Sequence, residues 1–399
     1  MQPNYDDGLI PATENLFRFR RMDIRQNVHL AHFQLRSVLS CPRRSKAFYP
    51  GVKAVYELNP VTGRSEVAMN LSDIPGVQVS TLGADCGVLI AGTFNGEYCL
   101  RAIDSTSKAY TEGQVTSHSN GITNHLQIHE SRRSANPLVA FASNDHGFRV
   151  MDIETEKFIS DVMYDFPMNC SALSPDRRLR VMVGDHFNVL ITDADSGEIL
   201  QELTGHRDFG FACDWADDGW TVATGFQDKG IKIWDARRWT NSSGNGTPLC
   251  TIRTEMAGAR SMRFSPLGSG RRVLAAAEEA DIVNLIDAQT LDRKQKIDIF
   301  GEIGGVDFTN DGQNLNILCC DRDRGGLLQL ERCNFGADVV WDSEEERVRT
   351  KLRCRQRGME RRGQDWRPTL EKVMDEPRSL GTEAQRRLRS AFYEDMQPF

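Results

Sequence analysis

The chain has 399 residues, 39% hydrophobic and 26% charged, which is the usage of a folded domain and not of a disordered or collagen-like polymer. A formal net charge of −7 gives no global field that would draw the molecule onto phosphate backbones, and nowhere do eighteen apolar residues run together as a membrane span requires. The ten cysteines include no C-x-x-C pair and lack the dense spacing of a secreted disulfide scaffold, so reduced thiols in the cytosol, the nucleus or both are expected.

Residues 1–27 carry Asp6 and Asp7 without a basic start or an apolar stretch, and they read as a short N-terminal segment with no secretion signal. From residue 28 onward, short apolar strands ending in aspartate recur at spacings near the forty-odd residues of a propeller blade. The unit beginning near Val28 has the turn Asn59-Pro60-Val61-Thr62-Gly63, although Pro42, Arg43, Arg44, Ser45 and Lys46 interrupt its strands. The unit near Val77 contains Val88-Leu89-Ile90-Ala91, a run suited to burial on both faces, and ends its third strand at Ala102-Ile103-Asp104. The same ending recurs at Val150-Met151-Asp152 after Ile122, and at Ile191-Thr192-Asp193 after Met168.

The unit near Phe209 runs from the hairpin bend Asp217-Asp218-Gly219 into the alternating Gly230-Ile231-Lys232-Ile233-Trp234-Asp235. The unit near Ala259 has Val273-Leu274-Ala275-Ala276-Ala277 and ends at Leu285-Ile286-Asp287, and the unit near Ile303 bends at Asn310-Asp311-Gly312. A short carboxylate that bonds its own downstream backbone suits each of these turns. The predicted fold is therefore all-β, a radial array of about seven four-stranded sheets over residues 28–338. A solenoid is the alternative, but its repeats lack these paired turn signatures.

The segment from Gly205-His206 to Trp234-Asp235 resembles a WD40 repeat, with its Gly-His dipeptide, its hairpin and its terminal Trp-Asp. The resemblance implies a seven-bladed WD40 β-propeller and a buried structural network of His206, Thr224, Asp228 and Trp234. Other units replace the tryptophan with Ile103, Met151, Thr192 or Ile286. Gly121-Ile122-Thr123-Asn124, Ser143-Asn144-Asp145 and Phe300-Gly301-Glu302-Ile303 resemble a largely uncharacterised family of fungal and plant WD-repeat proteins.

No Walker A loop, G-x-S-x-G elbow, H-E-x-x-H or kinase signature is present, and no catalytic residue, metal or cofactor is expected. His118, His125 and His129 lie close in sequence, but no cysteine or carboxylate completes a zinc spacing. Loops on a rigid scaffold concentrate recognition residues, which makes a non-catalytic protein-interaction scaffold the leading expectation. The candidate partner-binding residues fall on the turns between second and third strands: Asn95; Asn144, Asp145 and His146; Asp185 and His186; Gln227 and Lys229; and Asp321, Arg322 and Arg324. Trp234-Asp235-Ala236-Arg237 also resembles the W-D-x-R box by which substrate receptors dock on the adaptor of a cullin-type ubiquitin ligase. Residues 339–399 form a charged tail, predicted to be partly helical, and its basic run 347–362 leaves an RNA-associated or nuclear role as a further alternative.

Overall fold

The computed structural model describes residues 10–11, 15–242, 244 and 246–333, and among them every regular element is a β-strand. Five four-stranded antiparallel sheets succeed one another along the chain, opening with Ser40–Arg43, Val79–Asp85, Thr123–Glu130, Met168–Leu173 and Gly210–Trp215. The remaining strands form one eight-stranded sheet built around the 17-residue strand Arg293–Thr309. Its first part pairs with Ala280–Asp287, beyond which lie Val273–Glu278 and Ala259–Phe264. Its second part, from Ile303, pairs with Asn314–Cys319, beyond which lie Gly326–Arg332 and Phe17–Ile24.

Local chemistry accounts for the repeating strands. Val273–Glu278 is buried at every position, as a strand covered on both faces must be. Asp193 Oδ1 accepts the backbone N–H groups of Asp195 at 3.0 Å and Ser196 at 2.8 Å, and Asp287 Oδ1 does the same for Gln289 at 2.9 Å, so the strand-ending aspartates do close their own turns. Fourth strands are mostly exposed: Lys157–Met163 keeps only two half-buried positions.

The opening strands touch one another in a cycle, from Ser40–Arg43 through Val79–Asp85, Thr123–Glu130, Met168–Leu173, Gly210–Trp215 and Ala259–Phe264 to Arg293–Thr309 and back to the first. Sheets arranged radially around such a ring of inner strands make a β-propeller. The apolar clusters follow the same plan, each filling the gap between two neighbouring sheets; Val181, Val183 and Ile191 of one sheet, for example, pack on Trp215, Val222 and Trp234 of the next. Side chains of one inner strand also hold the backbone of its neighbour. Asp214 Oδ2 accepts Phe264 N–H at 2.6 Å, and Asp307 Oδ2 accepts Cys41 N–H at 2.7 Å across the point where the ring closes.

Two features of the N-terminal region differ from the sequence reading. Residues 1–27 were expected to stand outside the propeller, yet Phe17–Ile24 is the outermost strand of the last group, paired with Gly326–Arg332. A register shift between Phe19 and Arg21 breaks the period-two pattern, leaving Phe17 buried and Phe19 exposed, which is why the strand does not announce itself. The approach is close at Gly326, whose φ is +139° and where a Cβ would meet the Asp23 carbonyl oxygen at 2.0 Å. Pro42 to Lys46, read as an interruption, instead makes the first hairpin, with Arg43 opposite Lys46 and an irregular register that accommodates the proline. The tail 339–399 and its basic run lie outside the described residues.

Candidate functional site

The four residues of the strongest repeat meet in the structure. Trp234 Nε1 donates to Thr224 Oγ1 at 2.9 Å, Thr224 Oγ1 lies 3.0 Å from His206 Nε2, and His206 Nδ1 lies 3.1 Å from Asp228 Oδ2. Burial lowers the His206 pKa although Asp228 opposes it, so the ring is neutral: Thr224 donates its hydroxyl proton to Nε2, and Nδ1–H donates to Asp228. Asp228 then accepts backbone N–H groups from Arg207 at 2.9 Å and Gly230 at 2.8 Å, which fixes the turn at the edge of the sheet. His206 stacks on Phe226 with ring centroids 3.6 Å apart. Every polar atom of this chain of contacts is spent on holding strands together.

The turns between second and third strands share one end of the ring with the connections that enter the inner strands. Asn144 N–H bonds Ile122 O at 2.8 Å, Asp185 N–H bonds Pro167 O at 3.0 Å and Gln227 N–H bonds Phe209 O at 2.9 Å. Asn95, Gln227, Arg322 and Arg324 are exposed on this end, and Arg324 lies over the Phe300 ring at 5.5 Å. Asn144, Asp185, His186, Lys229 and Asp321 are half-buried. His186 is stacked between Phe166 and Phe187, at centroid distances of 4.7 and 4.2 Å, while Asp321 caps Asp323 and Arg324 N–H at 3.0 and 2.7 Å. His146 and Lys229 take left-handed φ values of 72° and 64°, tight turns that present their neighbours outward.

Two of the expected contact residues are employed differently. Asp145 is buried, with its carboxylate held by Arg149 through two bonds of 3.0 Å and by Gly147 N–H at 3.0 Å, so it fixes the turn instead of facing a partner. Arg237 belongs to the opposite end, where Ala236 N–H bonds Trp220 O at 2.7 Å. Its guanidinium is exposed but already bonded to both oxygens of Asp235, at 2.9 and 2.7 Å, and lies over the Trp220 ring at 4.9 Å.

Two further sets of residues on the first end were not visible in the sequence. Phe33, Val52, Phe187, Phe209, Met256 and Phe300 are exposed apolar side chains on its loops and strand crossings, with Phe300 reaching 71% exposure. Among the described residues, Trp220, Leu249 and Leu267 are exposed apolar side chains at the other end. The second set surrounds a small, partly open depression at the mouth of the ring, lined by Gln34, Arg36, Asn124, Asn169, Phe211 and Arg260 among others. Four of the lining side chains, Asn124, Asn169, Phe211 and Arg260, come from a register shift repeated in the inner strands, between Thr123 and His125, Met168 and Cys170, Gly210 and Ala212, and Ala259 and Ser261. Each shift turns the intervening residue inward. Asn124 Nδ2 thereby reaches Met168 O at 3.1 Å and Asn169 Nδ2 reaches Gly210 O at 3.0 Å and Asp185 Oδ1 at 2.8 Å, tying the expected contact residue Asp185 to the cavity wall. Apart from the two asparagines these positions share no residue type, so no motif marks them.

The three neighbouring histidines do not converge. His118 is in an exposed loop where Nδ1 accepts Asn120 N–H at 3.1 Å, His125 lines the cavity, and His129 Nε2 lies 3.1 Å from Arg180 Nη2. Arg180 can only donate, so His129 Nε2 accepts and its Nδ1–H donates to Glu130 O at 3.0 Å. Burial, followed by the charges of Arg180 and Arg177, holds the His129 pKa down to about 4, with Asp195 and the Glu130 carbonyl opposing. The unfolded chain therefore binds a proton here, at pH between about 4 and 6.5, that the folded chain does not. This contribution to stability is complete above pH 6.5 and is lost as pH falls toward 4, amounting to about 3 kcal/mol at most. Urea unfolding midpoints followed from pH 7.5 to 4.5 should fall less steeply for His129→Gln than for the native chain; equal slopes would show that His129 does not carry the effect.

No family model matches the chain. A protein of Schizosaccharomyces pombe (strain 972), described as uncharacterized, is 27% identical over 274 residues, which span 65% of this chain and 74% of that protein. Among solved structures, a chain in the crystal structure of the mitotic checkpoint complex superimposes with a TM-score of 0.65 at 16% identity, over 82% of this chain and 95% of that one. At that identity the likeness is one of fold, and with the sheet arrangement it supports a β-propeller.

Proposed function

We propose that the chain is a seven-bladed WD40 propeller, its blades being the five four-stranded sheets and the two halves of the eight-stranded one, that acts as a non-catalytic interaction scaffold. A protein or peptide partner sits on the end that carries the second-to-third-strand turns. The observation behind this reading is the concentration of exposed Phe33, Phe187, Phe209, Met256 and Phe300 around the mouth of a rigid ring. Exposed aromatic and methionine side chains grouped around a depression are the usual anchors of a protein interface. Membership of the similar fold in a complex, the mitotic checkpoint complex, agrees with a protein partner, and the Schizosaccharomyces pombe relative agrees with a fungal group.

The test is a comparison of two surface variants by quantitative affinity purification. Phe187→Ser with Met256→Ser and Phe300→Ser should lose the bound partners about tenfold or more, whereas Trp220→Ser with Leu267→Ser, at the other end, should keep them. Each of these positions is exposed, so folding stability should move by only about 0.5 kcal/mol per site. Retention of every partner by the first variant would overturn the choice of face.

A ubiquitin-ligase receptor is the second reading, favoured by the exposed stack of Arg237 on Trp220. An adaptor would have to recognise Arg237 while it remains paired with Asp235, or displace that carboxylate. Failure to recover a cullin adaptor with the native chain would remove this version, as would equal recovery with Arg237→Ala.

A further inference from the structure

Arg36 and Arg260 face the same cavity from different parts of the chain, Arg36 from the segment that precedes the first inner strand and Arg260 from the register shift in Ala259–Phe264. Both side chains are almost wholly buried, at 0% and 4% exposure. Arg36 donates Nε and Nη2 to Phe33 O at 3.0 and 2.6 Å, and its Nη2 lies 3.3 Å from Glu302 Oε1. Arg260 pairs Nη2 with Glu279 Oε2 at 3.2 Å and rests over the Phe211 ring at 3.8 Å. What is left over is specific: Arg36 Nη1 and Arg260 Nε and Nη1 are buried with no hydrogen-bond partner among the described residues. Buried guanidinium N–H groups without acceptors are costly, and an acceptor that enters the adjoining cavity relieves that cost.

We propose that this cavity receives a carboxylate, the side chain of an aspartate or glutamate carried by the partner segment that sits on the same face. The proposal rests on the interaction face described above, and it adds the chemical class of the group at its centre. Charge balance selects the carboxylate over a phosphoryl group. Arg36 and Arg260 are offset one for one by Glu302 and Glu279, so the four groups sum to zero. Glu278, also close, is fully buried and spent on Glu255, Met256 and Ala257 N–H at 2.7 to 2.8 Å and on Asn284. Arg263, further along the wall, has Asp214 at 3.7 Å and is influenced by Asp307. A single negative charge can use the three free N–H-bearing nitrogens; for a dianion both the attraction to the arginines and the repulsion from Glu302, Glu279 and the buried Glu278 double, while the cost of desolvating the ion rises about fourfold, which favours the single charge. The Asn124 and Asn169 amides, already bonded to backbone carbonyls, keep the wall polar and rigid.

The experiment uses the full chain with its arginines labelled with nitrogen-15 and reads the Arg side-chain N–H signals during titration with N-acetyl-glutamate amide. N-acetyl-glutamine amide serves as the uncharged isostere and inorganic phosphate as the dianionic competitor. The expected result is a saturable shift of the Arg36 and Arg260 signals with the glutamate probe, none with the glutamine probe, and weaker binding of phosphate. Arg260→Lys, which keeps the charge and loses the planar donors, should weaken binding roughly tenfold to a hundredfold, and Arg36→Lys provides the same reading if either variant folds poorly. Absence of any shift with the glutamate probe would overturn the proposal, and tighter binding of phosphate would overturn the carboxylate assignment. The two readings fail separately. If the apolar-face variant still loses its partners while the cavity ignores every anion, the interaction face stands without this site. If the cavity binds the probe but the apolar-face variant keeps its partners, the site stands without that face.

Discussion

Replacing Trp234 by alanine is expected to lower folding stability by about 4 kcal/mol, the cost of removing a large buried aromatic from a packed sheet. The indole is fully buried against Val181, Val222 and Trp215, and its N–H is the donor that the Thr224 hydroxyl accepts while itself bonding His206. For a ring of this size that loss corresponds to about 6 °C in melting temperature. Trp234→Phe separates the two contributions, because it keeps most of the apolar volume and removes the N–H; its loss should be about 1 kcal/mol, the net worth of one buried hydrogen bond. A melting temperature unchanged by the alanine substitution would mean that the network is decorative and that the neighbouring sheets hold without it.

Removing the strand Phe17–Ile24 is expected to have the largest effect of any change considered. The truncated chain would expose the whole pairing edge of Gly326–Arg332 and unpack Phe17, which is buried among Val306, Leu315 and Leu330 with the Arg332 guanidinium 4.8 Å above its ring. An unpaired edge beside an apolar face recruits other chains. Chains beginning at residue 26 should therefore elute as self-associated material in size exclusion with light scattering, and a synthetic peptide of residues 15–25 should restore the elution of the full chain by supplying the strand in trans. A stable truncated chain that elutes as the full chain does and has no affinity for the peptide would refute closure by this strand.

The legibility of this protein in its sequence is uneven for physical reasons. Strand-ending aspartates are readable because a turn needs a carboxylate at a fixed offset, and Asp193 and Asp287 bond the residues two and three positions on as that logic requires. The His206 to Trp234 set is readable because each member supplies a particular donor or acceptor. Phe17–Ile24 is not, since its register shift destroys the alternation on which strands are recognised. The cavity is less legible still. Four of its lining residues are selected by backbone geometry: apart from the two asparagines, Asn124, Asn169, Phe211 and Arg260 have in common only the place where the inner strand bulges. Asp145 shows the converse difficulty: a charged residue in a turn looks available, but Arg149 four residues later consumes it.

The 17-residue strand Arg293–Thr309 carries Phe300 in the irregular stretch between its two pairings, where Gly301 N–H bonds Asp281 Oδ1 at 3.1 Å and Cys320 N–H bonds Glu302 O at 2.8 Å. The most exposed apolar side chain of the face is thus mounted on backbone that is already immobilised by both halves of a sheet. Phe187 and Phe209 project from connections between strands, stacked on His186 and bonded to Gln227 N–H respectively, without a sheet on both sides. For Phe300 the entropy of the main chain was surrendered when the protein folded, and only the rotation of one ring remains to be lost on contact.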